Sequence, residues 1–205
     1  MKNLRNLIVF VKNPIKGRVK TRLGETIGNA EAVRVYQALL AKTKSVISDL
    51  STDRIVYYGD FINDNDLWSS THFKKALQTG ETLGNRMQNA FQESFEKGYQ
   101  KVIIIGSDCP ELSAEIIEQA YQLLDVYDVV LGPAEDGGYY LLGTKCFIPE
   151  IFNLSAWSTA TVLEETLAII QKHSLSHQLL PTLSDVDYEE DYIKFKDLIM
   201  PFMAR

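Results

Sequence analysis

Residues 102–112 read Val-Ile-Ile-Ile-Gly-Ser-Asp-Cys-Pro-Glu-Leu, and this stretch constrains the fold more than any other. An unbroken run of β-branched residues reads as a parallel strand buried on both faces, and Gly106 and Ser107 end it just before Asp108. Pro110 has no N–H to give to a ladder, and Ser113 is placed to cap a helix from Ala114 to Leu124 with Glu115 in its first turn. A strand passing at once into a helix predicts an open α/β sheet. Such sheets bind ligands at the carboxyl edge of their strands, which is where Asp108 is delivered.

The rest of the chain repeats this alternation. Leu4 to Val11 is apolar throughout and reads as a central first strand. Asn29 to Leu50 carries Ala32, Val35, Leu39, Val46 and Leu50 at helical spacing and forms the first crossover helix. Further strands are expected at Arg54–Tyr58, Lys75–Gln78, Asp128–Leu131 and Ser176–Leu180, with an aromatic strand after Gly138. Thr82 is placed to cap a helix that runs to Lys97 and ends at Gly98. Thr159 or Thr161 would cap another that runs to His173, and a last helix is expected over Tyr188–Met203. With 205 residues and no break in composition, one domain over 1–205 is expected.

Charge is unevenly placed along a chain whose formal net charge is −6. Lys2, Arg5, Lys12, Lys16, Arg18, Lys20 and Arg22 fall within the first 22 residues, with no acid among them. A focused basic segment in an acidic chain argues for a small anionic ligand and against nucleic acid. Cys109 and Cys146 share no metal or redox spacing, and His72, His173 and His177 form no ligand pattern, so free thiols in a reducing compartment are expected. Leu7–Val11 is too short for a signal peptide, and no apolar run reaches membrane-spanning length. These features predict a soluble, cytoplasmic protein.

Five cations, a proline and a glycine make up Lys12-Asn13-Pro14-Ile15-Lys16-Gly17-Arg18-Val19-Lys20-Thr21-Arg22-Leu23. Gly17 lets backbone approach a ligand while Lys20 and Arg22 supply charge, so the segment reads as a phosphate-binding loop or, alternatively, as a solvated basic loop. It is neither a Walker A loop nor a Gly-x-Gly-x-x-Gly fingerprint. Asn63-Asp64-Asn65-Asp66 lacks the glycine and distal glutamate of a calcium loop and reads as a solvated turn. Glu135-Asp136-Gly137-Gly138 suits a hairpin turn, the commoner meaning of Asp-Gly, or a turn whose backbone lies against a ligand. Trp157 reads first as a packing anchor. Asp185 and Asp187 precede the last helix and alternate around Val186, so one of them can face the sheet edge. Magnesium commonly takes one or two protein carboxylates and completes its shell with phosphate and water, a demand that Asp108 and Asp187 fit. Lys20 and Arg22 would offset charge developing in a transition state. No Ser-His-Asp or Cys-His pair is evident.

Taken together, Phe10-Val11-Lys12-x-Pro14-x-x-Gly17-Arg18-Val19-Lys20-Thr21-Arg22-Leu23, Leu83-Gly84-x-Arg86-Met87, Gly106-Ser107-Asp108-Cys109-Pro110, Gly132-Pro133-Ala134-Glu135-Asp136-Gly137-Gly138-Tyr139-Tyr140-Leu141, Trp157-Ser158-Thr159 and Asp185-Val186-Asp187 resemble the bacterial DUF2064 family. That family is glycosyltransferase-like, within the nucleotide-diphospho-sugar transferase superfamily of GT-A fold. The resemblance implies a Rossmann-like three-layer α/β/α sandwich with a mostly parallel mixed sheet, and a nucleotide or nucleotide sugar over its N-terminal half. It further implies a divalent cation, magnesium or manganese, on Asp108 and Asp187. It assigns phosphate binding to Lys12, Gly17, Arg18, Lys20 and Arg22, and base or ribose contact to the segment Gln78 to Arg86, which includes Gly84. Glu81-Thr82 departs from the Gly-Asp expected before Leu83-Gly84. Glu135, Asp136, Gly137, Gly138 and Trp157 fall on the acceptor side, with Asp136 the residue for acceptor binding or proton removal. The function so implied is glycosyl transfer; the alternatives are nucleotidyl transfer of the guanylyltransferase kind, releasing diphosphate, or a nucleotide-binding module without turnover.

Overall fold

The computed structural model describes residues 4–203, so Lys2 of the basic segment lies outside the described residues. In chain order the elements are β1 (Arg5–Val11), α1 (Thr21–Ile27), α2 (Asn29–Ile47), β2 (Asp53–Tyr58), β3 (Lys74–Leu77), α3 (Leu83–Glu96), β4 (Lys101–Ile105), α4 (Ala114–Leu123), β5 (Val129–Pro133), β6 (Tyr139–Thr144), α5 (Val162–Lys172), β7 (His177–Leu179), α6 (Glu189–Lys194) and α7 (Lys196–Ile199). The strands form one seven-stranded sheet in the order β3-β2-β1-β4-β6-β5-β7. All neighbours pair in parallel except at β6, which runs antiparallel to both β4 and β5.

Continuous apolar runs are required in β1 and β4 because both faces of the sheet are covered. On one side Leu7, Val9, Ile103 and Ile105 pack with Tyr36 and Leu40 of α2 and Ile117 and Tyr121 of α4. On the other, Ile8, Val102 and Ile104 pack with Met87 and Phe91 of α3 and Ile170 of α5. The period-two alternation of a strand sends successive residues to opposite layers. A smaller apolar cluster joins Leu23 of α1, Val35 and Leu39 of α2, Val186, and Phe195 and Ile199 near the C-terminus.

Two of the three expected helix caps form where the sequence places them; at the third, Thr161 precedes α5 but its hydroxyl donates to Glu165 Oε1 at 2.9 Å and caps no backbone N–H. Thr82 accepts a hydrogen bond from Asn85 N–H at 3.1 Å, and Ser113 accepts one from Ile116 N–H at 3.4 Å. Gly98, at φ 83, follows the end of α3. Three local expectations differ. The helix expected over 188–203 breaks at Phe195 into α6, α7 and a final 3-10 turn, Met200–Phe202. Phe195 is drawn into the third apolar cluster, and Pro201 can neither donate to a helix ladder nor fit beneath the preceding turn. The basic loop, in turn, contains the seven-residue helix α1, which local propensity does not favour. Tertiary packing holds it, since Leu23 is fully buried. Asp66 does not sit in a purely solvated turn: it accepts hydrogen bonds from Tyr58 Oη at 2.6 Å and Lys75 Nζ at 2.9 Å.

Candidate functional site

The chain leaves β1 toward β2 on one side and returns through α3 to β4 on the other, which makes the carboxyl ends of β1 and β4 a topological switch point. A cavity of about 480 Å³ opens there. Its apolar part is formed by Phe10, Leu83, Met87 and Trp157, and its polar part by Lys12, Arg18, Lys20 and Arg22 together with Asp108, Asp136, Asp185 and Asp187. This size and mixture are usual for a small-molecule site.

Lys20 is the centre of the polar part. Its backbone takes the left-handed conformation, φ 47 and ψ 47, at the start of α1. Its side chain is 4% exposed, and Nζ donates to Asp108 Oδ2 at 2.8 Å and to Asp187 Oδ1 at 3.0 Å. Burial alone would lower the pKa of this ammonium; the charges and hydrogen bonds of the two aspartates outweigh it and hold the group above its ordinary value. For Asp187, burial works to raise the pKa, but Lys20, Arg22 and Lys12 prevail and it lies below the ordinary carboxylate value. Arg22 donates to Asp187 Oδ2 at 3.2 Å while its guanidinium lies over the Tyr188 ring, 5.5 Å from the centroid.

Backbone hydrogen bonds explain why acids so distant in sequence meet. Val186 N–H donates to the carbonyl of Asp108 at 3.2 Å, tying the segment before α6 to the loop after β4. Val186 is fully buried, so Asp185 and Asp187 on either side of it both line the cavity. Asp191 accepts the N–H groups of Asp187 and Tyr188 at 2.9 and 2.8 Å and fixes that segment. Burial, reinforced by the charge of Asp108 and partly offset by Lys20, pushes the Asp185 carboxyl up to about 7.

Behind the cavity, Tyr36 of α2 links the two strand ends. Its hydroxyl accepts Lys12 N–H at 2.9 Å and lies 3.2 Å from Ser107 Oγ. Burial first, and then the charge of Asp108, raise its pKa, so it stays a neutral phenol. Cys109 is no thiolate nucleophile here, since burial and the nearby Asp185 push its thiol up to about 12.

Of the sequence-predicted residues, Lys12, Arg18, Lys20, Arg22, Asp108, Asp136, Gly138, Trp157 and Asp187 line the cavity. Glu135-Asp136-Gly137-Gly138 forms the hairpin turn between β5 and β6, in which Asp136 Oδ1 accepts Gly138 N–H at 2.9 Å. The hairpin reading holds, and Asp136 and Gly138 of that turn border the cavity. The remaining predicted residues stand outside the lining. Gly17 turns the basic loop at φ 78. Gln78 spends its amide on the carbonyls of Val11 and Tyr57, at 3.2 and 3.0 Å, and Arg86 Nε donates to the Gly80 carbonyl at 3.0 Å. Gly84 gives room to Trp157: a Cβ there would collide with its indole and lie 2.7 Å from the Phe152 carbonyl oxygen. Glu135 accepts from Ser184 Oγ at 2.6 Å. Gly137 lies against the carbonyl of Ala160.

Among the cavity residues to which the sequence reasoning gave no role are Tyr36 and Asp185, the latter weighed beside Asp187 but not chosen. The alternation around Val186 carried a signal for Asp185, because residues two apart share a face; the Tyr36 hydroxyl partners lie in distant segments and leave no local signal. Among the described residues no three His, Cys, Asp or Glu side chains form a metal cage. The hard oxygens of Asp108 and Asp187, which converge on one ammonium, are a donor pair suited to magnesium or manganese sharing its shell with phosphate and water. Among the described residues no helix is long and apolar enough to cross a membrane.

Residues 42–159 match the family described as "Uncharacterized protein conserved in bacteria (DUF2064)". A 2-phospho-L-lactate guanylyltransferase of Methanocaldococcus vulcanius is 26% identical over 143 residues, 68% of this chain; the match spans only 61% of that protein. A proposed nucleotide-diphospho-sugar transferase from Desulfovibrio desulfuricans G20 superposes over 100% of both chains with a TM-score of 0.84 and 30% identity. A nucleotidyl transferase of Methanothermobacter shares the fold at a TM-score of 0.68 and 12% identity, over 98% of this chain and 99% of that one. The architecture is the mixed α/β sandwich of nucleotidyltransferases and GT-A-like transferases, as the motifs predicted. With more than half of its residues matched to the family and a full-length structural counterpart at 30% identity, the chain belongs to DUF2064.

Proposed function

We propose that this protein is a nucleotidyltransferase: it binds a nucleoside triphosphate in the switch-point cavity and passes the nucleotidyl group to a small acceptor, releasing diphosphate. The observation that carries the reading is the junction of the basic loop with two aspartates, in which Lys20 Nζ lies within 3.0 Å of both Asp108 and Asp187. Lys12, Arg18 and Arg22 line the same cavity and suit a triphosphate. The name of the Methanocaldococcus relative favours this reading over the glycosyl transfer first implied by the family resemblance. Glycosyl transfer is kept as the second reading, supported by the name of the Desulfovibrio counterpart.

Magnesium or manganese held by Asp108 and Asp187 would supply charge to the phosphate oxygens and stabilise the leaving diphosphate. Lys20 and Arg22 do related work from the chain itself, placing fixed positive charge where the leaving group accumulates negative charge. The apolar surface of Phe10, Leu83 and Met87 suits the flat face of a base.

A ligand that binds only the folded chain raises its Tm, so nucleotides can be ranked by thermal shift with magnesium or manganese present. The expected result is stabilisation by at least one triphosphate beyond that of the matching nucleotide sugar, lost in Asp108→Asn. Stabilisation by nucleotide sugars with none by triphosphates would replace the reading with glycosyl transfer, and no nucleotide response would reject both.

A further inference from the structure

The cations of the cavity come from one segment, residues 12–22, and stand among Asp108, Asp185 and Asp187. The facing wall, built from the β5–β6 turn and residues 157–162, offers the Asp136 carboxylate, the hydroxyls of Ser158 and Thr159, and the Trp157 indole. That wall is tied together by its own contacts. Leu163 N–H donates to the Gly137 carbonyl at 2.9 Å, and Gly137, at φ 87, sits so close to the Ala160 carbonyl that any side chain would collide with it. Trp157 is seated on Gly84. Ser158 takes φ 61, a conformation that costs energy outside glycine and tends to mark positions fixed for contact with a ligand. The hydrogen bond from Gly138 N–H orients the Asp136 carboxylate.

We propose that the acceptor is an uncharged, hydroxyl-bearing molecule of the polyol or sugar class, and that Asp136 takes the proton of its attacking hydroxyl. The inference rests on the nucleotidyl-transfer reading above and names the second substrate of the same site. With the triphosphate on the basic loop, the acceptor is left to the facing wall, whose fixed charge is negative. A phosphorylated acid there would bring anion against carboxylate, an arrangement that selects against such partners. The acceptor in the name of the Methanocaldococcus relative is of that opposite class.

The chemistry points the same way. A phosphate oxygen attacks as an anion and needs no base, but an alcohol must lose its proton as it attacks. The hydroxyl oxygen forms a bond to the α-phosphorus, and the bond from that phosphorus to the α,β-bridging oxygen breaks. Its electron pair leaves with diphosphate, and the hydroxyl proton passes to the Asp136 carboxylate. The Trp157 ring offers a flat apolar face to the carbon side of a sugar, and Ser158 and Thr159 offer hydroxyls to its polar side.

The test uses the whole chain with magnesium and a triphosphate analogue bearing a methylene bridge between the α- and β-phosphorus. Saturation-transfer NMR then compares matched pairs: glycerol with glycerol 3-phosphate, erythritol with erythritol 4-phosphate, and glucose with glucose 1-phosphate. The expected result is at least tenfold weaker binding of each phosphate ester than of its parent, with the gap narrowed to under threefold in Asp136→Asn. Esters that bind as well as or better than their parents overturn the proposal, as does a chain that discriminates between neither. If the wild-type chain does not bind the analogue, the nucleotidyl reading fails and the acceptor proposal with it; a chain that binds the analogue and prefers esters loses only the latter.

Discussion

At Lys20 the backbone is held in a conformation that is unfavourable for a side chain with a Cβ, by roughly 1–2 kcal/mol, and the ammonium is almost wholly removed from water. Two carboxylates offset that loss, so neutralising the lysine leaves Asp108, Asp185 and Asp187 facing one another. Lys20→Met is expected to lower the stability of the metal-free chain by about 2 kcal/mol, toward the low end for broken buried pairs because the aspartates are partly exposed and screened. Urea denaturation measures this, and added magnesium or manganese is expected to recover part of the loss. Asp185 supplies the pH dependence. Its carboxyl, raised from 3.8 to about 7, binds its proton more tightly in the folded chain. The associated stability is full below the unfolded value of 3.8 and is lost as pH rises through about 7. Metal-free wild type should therefore lose stability between pH 5 and pH 8 more steeply than Asp185→Asn, which denaturation at the two pH values checks.

Among the elements, α3 shows how a binding wall is assembled. Its second residue, Gly84, leaves the space that Trp157 occupies, so Gly84→Ala must push the indole or the helix end aside. Overpacking of this kind costs typically about 1–3 kcal/mol, and it should move the Trp157 fluorescence along with the Tm. No spacing rule in the sequence announces that contact. What the sequence does announce are elements whose stability is local or periodic: the apolar runs of β1 and β4, the helical spacing of apolar residues in α2, and the caps at Thr82 and Ser113. The convergence of Lys20, Asp108 and Asp187 was legible too, because parallel order puts every strand-to-helix loop at one edge. The short α1 and the break at Phe195 were not legible, since each depends on burial against segments far along the chain. Gln78 was singled out beside the cavity, yet its amide serves the carbonyls of β1 and β2, a backbone debt visible only once the strands are paired.

The molecule as a whole is acidic but presents a basic mouth. Arg18 and Arg22, with side chains 67% and 60% exposed, stand at the cavity in a chain of formal net charge −6. Exposed charges of this kind attract a polyanion over about one Debye length, roughly 8–10 Å at 0.1–0.15 M salt, and are screened beyond it. Nucleotide affinity is expected to fall as sodium chloride is raised. Arg22→Gln should weaken binding by about two- to fivefold and flatten that salt dependence, as titration calorimetry at several ionic strengths would show. Finally, β6 alone runs against its neighbours. A parallel successor to β5 would have required a long crossover. The reversal instead folds the tip bearing Asp136 directly over the end of β4. Because that tip hangs from a hairpin and is braced by Ala160 and Leu163 and not by β1, the Asp136 wall and the basic loop rest on separate supports, and a change in one need not displace the other.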